Sequence, residues 1–327
     1  VAMARLYPDM NGYWKDKRAD WSKVRIPVYQ TAGWSHFHLP GSFNAWRRCK
    51  SRLKWMRAHR DFEWPDTYNP DNLEDLKRFY DRYLKDIHNG WEMTPRVRID
   101  VMDAYDIDYQ EKRAEKTFPL QRTKYTKFYF DATDDTLKTE PVTTEAEAKY
   151  DANEGKVEFD FTVPEDMEVT GYMKLRLYVS CEGHDEMDMF VNVQKASADG
   201  EWIPWYTLDE PHPGAWGKMR VSRRELDEDL STKQSPVLSN THEDKLKPGE
   251  IVPVDIAIVP TSRMYHKGER FRVQIAGHYI REGWFEPLAW DTDNAGTHVI
   301  HTGGQYESYI VVPVIPPRYV AGDYKVQ

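Results

Sequence analysis

The hydrophobic pattern changes its period once along the chain, and that change constrains the fold more than any other feature. Near residue 70 it is helical: Leu73, Leu76, Phe79, Tyr80, Tyr83 and Leu84 recur at i, i+3 and i+4, which places them on one face of a helix over 72–84 with Asn72 as its N-cap. From about residue 95 the period becomes two. Val97, Ile99 and Val101 alternate with polar residues, and short alternating runs follow at 127–130, 157–163, 171–180, 187–193, 251–259, 271–277 and 306–314. Strands of this length between turns predict a sandwich or jelly roll.

Upstream, helical and strand signals alternate. Residues 1–20 read as helical with an interruption at 9–12. Residues 25–32 and 53–59 read as short strands, and Pro40 opens a helix between them, a position where its missing N–H costs nothing. The expected organisation is therefore residues 1–120, the end of an α/β layer, followed by residues 121–327, an all-β domain. The charged stretch 110–116 reads as a loop, and 209–247 as a long turn-rich excursion at the sandwich edge.

Composition removes some function classes. The 327 residues carry 45 Lys+Arg against 54 Asp+Glu, a net charge of −9. An acidic balance without a basic run argues against a nucleic-acid partner or an anionic membrane surface. No run approaches the roughly 18 apolar residues of a spanning helix, and the first residues lack the apolar core of a signal peptide. Cys49 and Cys181 are far apart and are expected as reduced, buried thiols. A cytoplasmic location is the expectation.

Two groups of residues resemble a known family. In the β part these are 170–180 with 188–193, then Lys267-Gly-Glu-Arg270, then 294–304 followed by Ser308 and Pro313. In the α/β part, Gly33-Trp34-Ser35-His36 resembles a Gly-Trp-x-Asp segment, and His59, followed by Glu63-Trp64-Pro65-Asp66, stands at the position of a catalytic histidine. The family is that of cocaine esterase and X-prolyl dipeptidyl aminopeptidase, the CocE/NonD type. The resemblance implies an incomplete α/β-hydrolase sheet followed by a galactose-binding-like jelly roll. It also implies a serine hydrolase that cleaves ester or amide bonds, X-Pro dipeptidyl bonds included, through an acyl-enzyme. The order Ser, acid, His along such chains puts the nucleophile upstream of this sequence, so the chain alone is expected to be inactive. Its expected partners are a small ester or amide substrate, the missing N-terminal segment and other copies of itself; no cofactor is expected.

On this reading His59 is the general base, His36 occupies the acid position, and Trp34 contributes to a substrate pocket, with Trp55 and Trp64 nearby. Imidazole at the acid position departs from the pattern, so Asp61 and Glu63 are candidate substitutes. Gly41-Ser42 is the nearest imitation of a nucleophile elbow but lacks its second glycine, and Ser42 reads as a helix-start serine. His36 and His38 form an H-x-H pair with metal-ligand spacing but no third ligand evident in the sequence, and no metal is expected. Asp291 and Asp293 resemble part of a calcium loop without its remaining ligands. Two alternatives are a catalytically dead relative and a carbohydrate-binding jelly roll that uses Trp202, Trp205 or Trp216.

Overall fold

The computed structural model describes residues 2–280 and 291–317. Helices α1 (Ala2–Leu6) and α2 (Gly12–Asp16) precede strand β1 (Val28–Gly33), α3 (Leu39–Arg48), β2 (Lys54–His59), α4 (Glu63–Tyr68), α5 (Pro70–Leu84), β3 (Val97–Ala104) and β4 (Ile107–Glu115). Strand β2 lies parallel to β1, with Gly33 opposite His59, and parallel to β3, with Ala58 opposite Ile99. The β-α-β connection through α3 is the usual route to parallel neighbours.

Alternation along β2 divides its side chains between two cores. Met56 and Ala58 enter the main core with Trp34, Phe43, Val97 and Ile99. Trp55 points the other way, into an aromatic cluster with Phe79, Trp91, Tyr29 and Tyr83. Arg57 and His59 share that second face.

Helix α5 starts earlier than its pattern suggests. Asn69 caps it, accepting from the Asp71 amide, with Pro70 in the first turn, and Asn72 instead donates to Asp66. The buried face also differs. Phe79 is buried, whereas Leu73, Tyr80 and Leu84 are exposed, Leu84 by 76 %. These three form an apolar stripe along one side of the helix, and Ile87, past its end, is exposed too.

Residues 107–115 are a strand, not a loop. Strand β4 pairs antiparallel with β3 and keeps most of its side chains in solvent. That is why no apolar period marks it. In the excursion at 209–247, Ala215–Arg220 pairs with Asp188–Ala196.

Strand β3 is the hinge of the architecture. It meets Val252–Tyr265 in parallel at Met102 and Arg263, and the remaining strands extend the same sheet, so a 15-stranded mixed sheet runs through both parts among the described residues. Met167–Glu182, at its centre, pairs antiparallel with Val252–Tyr265, Thr297–Thr302 and Tyr309–Ile315. One hydrophobic cluster joins Trp34 and Phe43 to Phe128, Phe159, Leu175 and Val273. Charged contacts also bridge the parts: Arg113 forks onto Glu168 at 2.6 Å, and the buried Lys195 ammonium lies 2.6 Å from Asp103. At the far end, β1 has β2 on one side and no strand on the other among the described residues.

Candidate functional site

The loops that leave β1 and β2 emerge side by side at the carboxyl ends of parallel strands, where open α/β sheets place their ligands. Gly33 permits the close approach. A Cβ there would stand 3.0 Å from the Asp61 carbonyl and 3.4 Å from His59 Cε1. The chain then turns at His36, whose amide bonds back to Gly33 O at 3.2 Å, and enters α3.

The His36 ring is 2 % exposed and packed among Phe37, His38 and Phe62, with ring centres 4.1 to 4.4 Å away. Its Nδ1 faces two groups with opposite demands. The His38 amide donates to it at 3.0 Å, which requires a lone pair. The Glu63 carboxylate stands 3.2 Å away, which favours a proton. Nε2 of His36 has no hydrogen-bond partner among the described residues. The second Glu63 oxygen lies 3.7 Å from His38 Nδ1. Burial pushes the His36 imidazole down to about 4, with His38 and His59 adding to the effect. Burial raises the Glu63 carboxyl above its usual range, and His38 offsets part of that rise.

His59 is buried on the helix side of the sheet. Its Nδ1 is 2.9 Å from the Asp61 carbonyl and so carries the proton. Its Nε2 is 3.4 Å from Asp66 Oδ2, without the alignment of a hydrogen bond. Burial pushes this ring also to about 4, against the pull of Asp66. Asp66 is held by both Arg57 terminal nitrogens and by Asn72 Nδ2 at 2.9 Å. Sequence reasoning did not single out Asp66; only the turn from β2 into α4 brings it under His59. Of the two carboxylates considered as substitute acids, Glu63 meets His36, while Asp61 offers His59 its backbone carbonyl.

The three tryptophans expected near this site do not gather there. Trp34 is 2 % exposed, donates to the Asp100 carbonyl at 3.0 Å and stacks on Phe43 in the main core. Trp55 lies in the aromatic cluster behind β2. Trp64 alone stays close, in edge contact with Phe62. Nor do Trp202, Trp205 and Trp216 share a sugar-stacking platform: Trp205 is buried against His212 with its Nε1 on Ser35 Oγ at 2.7 Å. Asp293 is tied to His184 and Lys245 at 3.3 and 3.4 Å, a surface ion cluster that accounts for it without calcium.

A cavity of about 280 Å³ opens beside the His36 loop. Ser35 and Phe37 form one wall, and Phe190, Trp216, Lys218 and Tyr279 stand on the other sides. Burial pushes the Lys218 ammonium down to about 8.

A second constellation imitates a triad. Ser180 Oγ is 2.8 Å from His301 Nε2, and His301 Nδ1 is 3.3 Å from Glu147. These side chains lie across adjacent strands, and Thr297–Thr302 is paired on both edges. Its amides are thereby committed to the ladders and unavailable to an oxyanion.

Residues 89–311 match the family described as the X-Pro dipeptidyl-peptidase C-terminal non-catalytic domain. The chain belongs to that family. It is the C-terminal portion of a CocE/NonD-type protein. A CocE/NonD family hydrolase from Staphylococcus aureus is 33% identical, with a TM-score of 0.90 over 96% of this chain and 59% of its own. The chain thus spans less than two thirds of that hydrolase. Two further structures share the fold at a TM-score of 0.68: an aminopeptidase from a marine sediment Thaumarchaeota archaeon, 15% identical, and an α-amino acid ester hydrolase, 13% identical. Each matches 96% of this chain and 60% of its own. No curated protein matches. The non-catalytic domain begins at residue 89, after the loops that carry His36, His59 and Glu63. Among the described residues no helix is long and apolar enough to cross a membrane.

Proposed function

We propose that the chain carries the histidine and carboxylate loops of a serine hydrolase that cleaves an ester or amide, with its nucleophile on a segment outside this sequence. One observation carries the reading. At the carboxyl ends of two neighbouring parallel strands, His36 Nδ1 stands 3.2 Å from the Glu63 carboxylate, while Nε2 has no hydrogen-bond partner among the described residues. A catalytic base needs one ring nitrogen on an acid and the other free to meet the nucleophile.

His36 meets that requirement better than His59, both of whose ring nitrogens face protein groups. In this reading the roles differ from the sequence expectation. His36 is the base; its Nδ1 releases the His38 amide for its base form to carry a proton there toward Glu63. Glu63 orients the ring and stabilises the imidazolium. His59 is a positioning residue beneath the loop, and Trp34 packs under it. The cavity beside Phe37 receives the acyl or leaving group. The upstream segment covers the open edge of β1 and the apolar stripe of α5, and supplies the serine and the oxyanion donors. Residues 1–120 complete its α/β layer, and 121–327 form the jelly roll. The two free, buried cysteines are consistent with a cytoplasmic enzyme.

The test uses the full-length protein and a 4-nitrophenyl ester. His36→Ala is expected to lower kcat/KM by roughly 10²- to 10⁴-fold, Glu63→Gln to lower kcat, and His59→Ala to have the smaller effect. Full activity in His36→Ala with none in His59→Ala would return the base role to His59. No turnover of esters or amides by the full-length protein would end the hydrolase reading.

A further inference from the structure

The Glu63 carboxylate is unusual in what surrounds it. Its ion-pair partners among the described residues are His36 and His38, and no Lys or Arg side chain pairs with it among those residues. The group is nonetheless partly buried, at 28 % side-chain exposure, beside a His36 ring that is 2 % exposed. A half-buried carboxylate beside two imidazoles, one of which turns an accepting Nδ1 toward it, favours a shared proton or a cation.

The spacing favours a cation. One candidate ligand atom from each of the three residues lies within 4.8 Å of the others. Zinc at about 2.0–2.1 Å from nitrogen and oxygen ligands in a tetrahedral site sets them about 3.3–3.4 Å apart. The two Glu63 oxygens stand near that separation from the rings, Oε1 at 3.2 Å from His36 Nδ1 and Oε2 at 3.7 Å from His38 Nδ1. Two imidazoles and one carboxylate suit zinc, whereas calcium and magnesium prefer oxygen ligands in larger number. His38 is 65 % exposed, which leaves an entry path and a fourth position open to water.

We propose that His36, His38 and Glu63 form a zinc-binding site. The ion takes over the His36 Nδ1 lone pair now shared with the His38 amide, so binding displaces that hydrogen bond and shifts the turn at Phe37. The site stands on these three side chains alone. Its consequence rests on the hydrolase reading: zinc on His36 Nδ1 and on Glu63 breaks the contact between ring and carboxylate that orients the base, so zinc inhibits ester cleavage.

Calorimetric titration of this 327-residue chain with zinc chloride tests the site. The sequence contains no nucleophile elbow, so the experiment is blind to hydrolysis and can fail independently of the proposed activity. One zinc per chain is expected, with no response to magnesium. His38→Ala and Glu63→Gln are each expected to weaken binding at least about tenfold, while His88→Ala, at an exposed histidine outside the cluster, binds as the parent does. Both ligand changes fall on partly exposed side chains, and circular dichroism checks that the variants remain folded. Absence of saturable one-to-one binding, or binding that both ligand variants leave unchanged, would overturn the proposal.

Discussion

The Arg57–Asp66 pair beneath the candidate site supplies a sharp test of the energetics. Both side chains are buried, at 2 and 4 % exposure, and Asp66 accepts from both terminal nitrogens of Arg57 and from Asn72. In Asp66→Asn the shape is kept and the charge is lost. The guanidinium then stays buried with only neutral partners, the new amide oxygen and the Tyr29 hydroxyl, 3.2 Å from its Nε. Breaking a buried ion pair by removing one charge costs about 3–5 kcal/mol. The surviving contact with Tyr29 sets the expectation at about 3 kcal/mol. Urea unfolding followed by tryptophan fluorescence reads this directly, because Trp55 and Trp91 pack against Tyr29. With a slope of about 3 kcal/mol per molar, the midpoint falls by about 1 M. The companion variant Arg57→Met with Asp66→Asn removes both charges and is expected to regain most of the loss, since an apolar replacement of a buried pair is close to neutral. A single-variant loss below about 1 kcal/mol, or a double variant no more stable than the single one, would refute the reasoning.

Three further outcomes are expected. His298 is fully buried beside Tyr150, and burial pushes its imidazole from 6.5 down to about 4. The unfolded chain therefore binds the extra proton first, so this contribution is intact above pH 6.5 and is lost as pH falls toward 4, amounting to about 3 kcal/mol. His298→Gln should flatten that part of the stability–pH curve, and an unchanged slope would contradict it. Gly33→Ala forces a Cβ to 3.0 Å from the Asp61 carbonyl, with a cost of about 1–3 kcal/mol in urea unfolding and a shift in the His59 ring resonances. Among the described residues β1 has an open edge and the α5 stripe lies in water, which favours edge pairing. Sizing should show self-association reduced by Leu84→Glu, and a clean monomer would count against the upstream segment as the natural cover.

Much of this architecture is legible in the sequence because most strands have one buried face. The run around Leu175 and Leu177 and the run around Val273 and Ile275 alternate as a half-buried strand must, and they are strands. Strand β4 escaped because both of its faces are largely wet, so its register comes from ladder bonds to β3 and leaves no mark in side-chain polarity. The cap of α5 lies three residues before Asn72, at Asn69, where a capping residue is followed by a proline suited to the first turn. Trp205 escaped for the opposite reason. Its indole is buried because Ser35, 170 residues earlier, supplies the hydrogen bond that a buried N–H requires, and no local pattern encodes that meeting.

The site itself is legible as a set of residues but not as a set of pairs. Sequence places His36 and His59 at the ends of two strands and Glu63 and Asp66 in the loop after the second. It cannot say which carboxylate meets which ring. Alternation along β2 decides that. His59 shares a face with Arg57, so it turns toward α4 and α5 and finds Asp66, already neutralised by Arg57. His36 lies beyond the end of β1, outside that alternation, and meets the carboxylate without a cationic partner. Under the proposed hydrolase reading, the same division suits one histidine to holding the fold and the other to chemistry. A ring enclosed by a carbonyl and a satisfied aspartate has little left to exchange with a ligand. A ring beside an uncompensated glutamate, with one nitrogen unpartnered, can exchange a proton or accept a metal.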